Sequence, residues 1–174
     1  MKERKRNIKG VTILEIMVVV AIVGILTTMS VVGFRNMTNH QKLISDTNNT
    51  AALLKYISSE AKTSRKPIRV KLDYTNEKIT AWVDLDGDTL YDGGEIVLKE
   101  ITMQEGIDLY GGMVGAAINT NQQMVHYYDD GTLEKNVTFL IKGETTGEFK
   151  AISINKMNGW PELITDVSPS LIGL

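Results

Sequence analysis

Cysteine is absent from the 174 residues, which removes disulfide frameworks, thiolate-ligated zinc and thiol nucleophiles from consideration. The redox compartment stays open, because an oxidising space permits disulfides without requiring them. Aromatic side chains make up only 6% of the chain, and there are two histidines, His40 and His126. Neither has a second imidazole or a thiol near it in sequence, so both read as surface or satisfied core residues and not as metal ligands. There is no G-x-S-x-G elbow and no phosphate-binding glycine loop, and no histidine is paired in sequence with an orienting group. The chain is therefore read as a non-enzyme. Proline occurs only at Pro67, Pro161 and Pro169, so nothing of that kind interrupts residues 11–66.

What is present begins with a charge asymmetry. Within the first ten residues Lys2, Arg4, Lys5, Arg6 and Lys9 stand against Glu3 alone, although the whole chain carries a formal charge of −2. A basic head on a mildly acidic body suggests a topology signal and argues against nucleic acid as the default partner. From Ile16 to Phe34 no residue is charged, and as a helix this run would span roughly 28 Å, close to the hydrocarbon thickness of a bilayer. The basic flank precedes it, so the N-terminus is expected in the cytoplasm and everything after Phe34 across the membrane. A cleaved secretory signal fits poorly, because "TTMSVVGFRNM" offers no A-x-A-like site and helix-compatible sequence continues beyond it. A plain anchor leaves Glu15 unexplained, since a carboxylate in such a segment is unfavourable by about 2.5–3.5 kcal/mol at mid-depth and less near the end.

Beyond Phe34 the sequence turns amphipathic, with Met37, Ile44, Ala51, Leu54, Ile57 and Ala61 recurring at helical spacing. A single helix is expected from residue 11 to about Ser64, closed by Pro67. The periodicity then changes to two. "IRVKLDY" (68–74) and "ITAWVDL" (79–85) read as half-buried strands, and further strands are expected at 95–101, 124–128, 137–141 and 149–155. The small, polar stretch 111–123, "GGMVGAAINTNQQ", reads as a loop. Strands gathered after one helix place the chain in the α+β class, with an antiparallel sheet.

Two clusters invite a chemical reading. Asp84, Asp86, Asp88, Asp92 and Glu95 fall at positions 1, 3, 5, 9 and 12 of an EF-hand-like calcium loop, although position 6 is Thr89 where a glycine is needed. The simpler alternative is a hairpin loop whose Asp-Gly steps supply turn geometry. Lys62, Arg65, Lys66, Arg69 and Lys71 form a basic stretch without interleaved aromatics, which reads as a solvated face before it reads as a nucleic-acid footprint. Trp82 and Trp160 read as packing residues.

"KGVTILEIMVVVAIVGIL" resembles the leader and N-terminal helix of type IV prepilins, in which a short basic leader ends in glycine and glutamate is the fifth residue after the cut. "ISSEAKTSRKPIRVKL", "WVDLDGDTLYDGGEIVL" and "YYDDGTLEKNVTFLI" resemble, more specifically, the GspH/FimT branch of these proteins. The resemblance implies a pilin-like fold and the organisation 1–10 leader, 11–34 membrane-spanning half-helix, 35–66 amphipathic half-helix and 67–174 periplasmic β domain. It implies cleavage between Gly10 and Val11 by a prepilin peptidase and N-methylation of Val11. Glu15 would serve filament assembly by pairing with the N-terminal ammonium of a neighbouring subunit. The implied role is a minor pseudopilin of type II secretion; a minor pilin of a type IV pilus, including one for DNA uptake, is the alternative. Its partners would be other pilin or pseudopilin subunits, the prepilin peptidase, an inner-membrane assembly platform and, before assembly, membrane lipid. A membrane-tethered calcium-binding domain is the rival of a different class.

Overall fold

A computed structural model describes residues 12–164 apart from residues 89, 93, 115, 116 and 120, with the side chains of residues 29–36, 114, 117 and 118 outside the description. The expected cleavage site, Gly10 and Val11, therefore lies outside the described residues. The chain divides into two compact units, Met1–Met37 and Thr38–Leu174. One helix, α1 (Ile13–Ser64), contributes to both. It ends where Arg65 adopts a left-handed φ of 50° and Pro67 disfavours a helical Lys66.

In the second unit the C-terminal half of α1 buries Leu43, Ala51, Leu53, Leu54, Ile57 and Ala61. Two members of the expected stripe depart from it: Met37 is 64% exposed and Ile44 is half-buried, while Leu43 is fully buried. The reason is geometric. A strict seven-residue spacing drifts by about 20° per heptad on a straight α-helix, so the series 51, 44, 37 rotates off the face that Leu54 and Ile57 define.

Nine strands follow among the described residues: β1 (Ile68–Asp73), β2 (Lys78–Val83), β3 (Ile96–Thr102), β4 (Ile107–Val114), β5 (Ala117–Asn119), β6 (Gln122–Tyr127), β7 (Val137–Gly143), β8 (Phe149–Ile154) and β9 (Pro161–Ile164). They form two antiparallel sheets, ordered β3-β2-β1-β6 and β5-β4-β7-β8-β9. One hydrophobic core unites the helix face with Ile68, Val70, Leu72 and Val125 of the first sheet and Ile107, Phe139, Ile141 and Ile152 of the second. Each fully buried side chain of this size stabilises by about 1.5–3 kcal/mol. Buried Asp46 on α1 accepts two hydrogen bonds from Gln104, from its backbone N–H and its side-chain amide, both at 2.8 Å. That holds the β3–β4 turn against the helix.

The expected loop 111–123 is instead the end of β4, all of β5 and the start of β6. Gly112 shows why composition misleads there. A Cβ at this position would run into Tyr74 Oη and Gln123 Oε1 and lie 2.9 Å from Phe139 Cβ. The glycine is thus a strand residue that makes room for the buried Tyr74–Gln123 hydrogen bond of 2.6 Å.

Glu77, in the β1–β2 turn, has a left-handed φ of 53°. Burial, a hydrogen bond with Asp108 and the charges of Asp108 and Glu144 together raise its carboxyl above the ordinary value of 4.5. A raised pKa means that the folded state binds this proton more tightly than the unfolded chain. The associated stability is complete below the ordinary value and lost as pH rises through the folded one. Glu77→Gln should therefore raise the melting temperature at pH 7, with the gain shrinking as pH falls through the raised value and gone below 4.5. Thermal melts across that range check this, and a pH-independent difference would contradict it.

Candidate functional site

Thr12 and Glu15 form a reciprocal cap at the start of α1. The Glu15 N–H donates to Thr12 Oγ1 at 3.2 Å, and the Thr12 N–H donates to Glu15 Oε2 at 3.4 Å. This is the Thr-x-x-Glu capping box, in which two otherwise unsatisfied backbone donors are served and a negative charge meets the positive end of the helix dipole. The Thr-x-x-Glu pattern is legible in "VTILE" itself, so Glu15 has a partner within its own chain besides the intermolecular one that the resemblance implies.

Behind the cap, apolar side chains are exposed on every side of the helix, from Ile13 (81%) through Val20 (64%) to Leu26 (58%). A helix that is apolar all round belongs in lipid or among other helices. Thr27 and Thr28 do not break the pattern, because their hydroxyls donate to the carbonyls of Val23 and Ile25, each at 2.7 Å. Such back-bonding satisfies the hydroxyl without water. Among the described residues no helix is long and apolar enough to cross a membrane; the described side chains of this stretch end at Thr28, whereas the uncharged sequence continues to Phe34.

The acidic loop lies between β2 and β3. Asp84, Asp86 and Glu95 each bring a carboxylate oxygen within 4.8 Å of the others, but the five-residue set of the sequence reading does not converge. Asp88 Oδ1 accepts the Leu90 N–H at 2.7 Å, and Asp92 Oδ1 accepts the Gly94 N–H at 2.9 Å. Both are turned to their own turns. Asp84 is fully buried and paired with Arg69 at 2.5 Å, while its other oxygen accepts the Gly87 N–H at 2.7 Å. The Glu95 oxygens accept from Leu85 and Asp92. A cation seated there would have to compete with Arg69 and with these N–H donors. Calcium binding to the whole chain should be no tighter than about 10⁻³ M, the weak end of the range for calcium modules. Calorimetry with CaCl₂ tests this, and a micromolar affinity would reverse it.

The basic stretch is dispersed. Arg69 pairs with Asp84, Lys71 pairs with Asp73 at 3.2 Å, and Lys62 and Arg65 face Asp129 and Asp130 across a notch of about 300 Å³. His40 lies 2.8 Å from Glu148 and His126 3.4 Å from Glu134. Burial and the Arg69 guanidinium hold His126 below the ordinary imidazole value. Trp82 is buried and meets Tyr91 edge-on at 5.7 Å, whereas Trp160 is half-exposed beneath the Lys55 ammonium.

Residues 5–31 match the family model described as the prokaryotic N-terminal methylation motif. No match was found among curated proteins. Solved structures share the fold. The type IV minor pilin FimU of Pseudomonas aeruginosa aligns with a TM-score of 0.53 at 20% identity, over 74% of this chain and 92% of that one. The minor pseudopilin EpsH from the Type 2 Secretion System of Vibrio cholerae aligns with 0.57 at 17% identity, over 73% and 98%. A second crystal structure of EpsH gives 0.55 at 16%, over 74% and 96%. The fold, an N-terminal helix followed by antiparallel sheets, is pilin-like, as the sequence implied.

Proposed function

We propose that this pilin-fold chain is a minor pseudopilin, a structural subunit of a type II secretion pseudopilus. The observation that carries the reading is a capped acid at the head of an all-round apolar helix, inside a matched methylation motif and followed by a pilin-like body. Cleavage after Gly10 would create an ammonium at Val11, one residue before the cap. The processed subunit would rest in the inner membrane with its N-terminus cytoplasmic and its β domain periplasmic. An assembly platform would draw it from lipid into a filament, where α1 packs among the helices of other subunits. Its role is mechanical and non-enzymatic.

The physics of Glu15 supports this sequence of events. Near the end of the apolar run the carboxylate can reach the interface, and within one chain the Thr12 cap serves it. In a filament both Glu15 and a neighbour's Val11 ammonium lose water, and pairing offsets part of that loss. Mass spectrometry of the natural product tests the first step. A mature chain beginning at methylated Val11 is expected; a chain retaining its first ten residues in cells with an active prepilin peptidase would overturn the reading.

The likeness to FimU favours one second reading, a minor pilin of a type IV pilus. Deleting the gene distinguishes the two, since loss of protein export with piliation intact supports the first and the converse supports the second. A DNA-uptake version further requires a salt-dependent mobility shift of labelled DNA by the protein at low ionic strength.

A further inference from the structure

A groove of about 870 Å³ crosses the first sheet on the side opposite the hydrophobic core. Register places Asp73 beside Lys78, and Lys71 beside Thr80, which in turn pairs with Glu100, so the groove traverses several strands instead of following one edge. Tyr91, half-exposed, closes one end next to Trp82. Three features specify an occupant. The charged groups along the groove are already paired, Lys71 with Asp73 at 3.2 Å and Lys78 with Glu100 at 2.7 Å, so no net charge selects an anion or a cation. These pairs nevertheless place donors and acceptors side by side, an arrangement suited to hydroxyls, which both donate and accept. Trp82, only 2% exposed, lines the groove, and its indole N–H has no acceptor among the described residues. Buried donors are rarely left so. An extended peptide fits less well, because strand addition needs the free N–H and C=O groups of a sheet edge, and a sheet face presents side chains.

We propose that this groove binds a short neutral oligosaccharide bearing N-acetyl groups, with a sugar ring against Tyr91 and an acetamide carbonyl accepting from Trp82 once the Tyr91 ring moves off the indole. The proposal does not depend on the assembly reading.

The test uses the full chain in micelles of a detergent without sugar, lauryldimethylamine oxide, with tetra-N-acetylchitotetraose as probe and cellotetraose as the same-length control lacking acetamides. Calorimetry and tryptophan fluorescence should show saturable binding with Kd of about 10–1,000 μM, in the weak range for a few hydrogen bonds and one stacked ring. Cellotetraose should bind about tenfold or more weakly. Trp82→Phe should weaken the probe about tenfold by removing the orphan donor. Thr80→Val, at a half-buried position on the groove floor between Lys71 and Glu100, keeps a β-branched side chain and should weaken it severalfold with an unchanged melting temperature. Absence of saturable binding at 10 mM probe, on the order of the weakest measurable affinity, would overturn the proposal. So would equal binding of the two sugars, or displacement of the probe by a neutral extended peptide.

Discussion

Glu15→Gln is expected to leave membrane insertion, processing and the start of α1 intact while reducing incorporation into filaments about a hundredfold. The variant separates two roles that Glu15→Ala would confound. Glutamine serves at the third helical position of a capping box as glutamate does, so the reciprocal bonds with Thr12 at 3.2 and 3.4 Å survive. What disappears is the charge that a neighbour's Val11 ammonium would meet. Breaking a desolvated ion pair by removing one partner costs about 3–5 kcal/mol, more than a hundredfold in an association equilibrium. Glu15→Ala loses the cap in addition, for only about 1 kcal/mol. Thr12→Ala loses the cap alone. If pairing dominates, the Gln and Ala variants should be nearly equally absent from sheared filaments on immunoblots, and Thr12→Ala should assemble within about fivefold of the natural chain. If Glu15→Gln assembles normally while Thr12→Ala fails, the acid is a helix cap and the pairing mechanism is wrong.

Gly159→Ala is expected to lower stability by at least about 3 kcal/mol, roughly 6–12 °C in melting temperature for a chain of this size. Gly159 has φ +67°, and a Cβ there would fall on the Gly131 carbonyl oxygen and lie 2.9 Å from Ser58 Oγ. Gly131, with φ +75°, is itself pressed against α1, where a Cβ would lie 2.7 Å from the Ser58 carbonyl oxygen and 2.7 Å from Lys62 Cγ. The β6–β7 connection thus rests directly on the helix backbone, and the β8–β9 connection rests on Gly131 and on the Ser58 hydroxyl. Ser58 Oγ donates to the Gly131 carbonyl at 3.3 Å between them. Gly147 is the control, since its φ is +66° and nothing lies within 4 Å of its added Cβ. Gly147→Ala should cost only the left-handed backbone penalty, about 1–2 kcal/mol. Denaturation followed by circular dichroism compares the two. Equal losses would mean that backbone conformation, and not close approach, is what the glycine at 159 supplies.

Much of this architecture was open to the sequence because local signals agreed with the tertiary outcome. Pro67 and the change of period from helical to two marked the end of α1 and the start of β1, and alternation in "IRVKLD" placed Ile68, Val70 and Leu72 in the core. The misses occurred where identity depends on a distant partner. Gly111 and Gly112 break the β-propensity of β4 in its middle; pairing with β7 on both sides of them makes the whole stretch a strand. β9 opens with proline and is recognisable only as an edge against β8. In the acidic loop, spacing suggested five ligands, but spacing does not show that Arg69 claims Asp84 or that Asp88 and Asp92 turn inward to neighbouring N–H groups.

By itself, then, the amino-acid order determined the apolar head, the acid at its start and the α+β class, because each follows from composition and short-range periodicity along a single element. Only the folded chain decided the two-sheet pairing, the glycine contacts that seat the loops on α1, the neutralised groove around Trp82 and the fate of each carboxylate near Asp84. Those depend on which groups meet across long stretches of chain, and a linear pattern carries no record of the partner that satisfies a buried donor or charge.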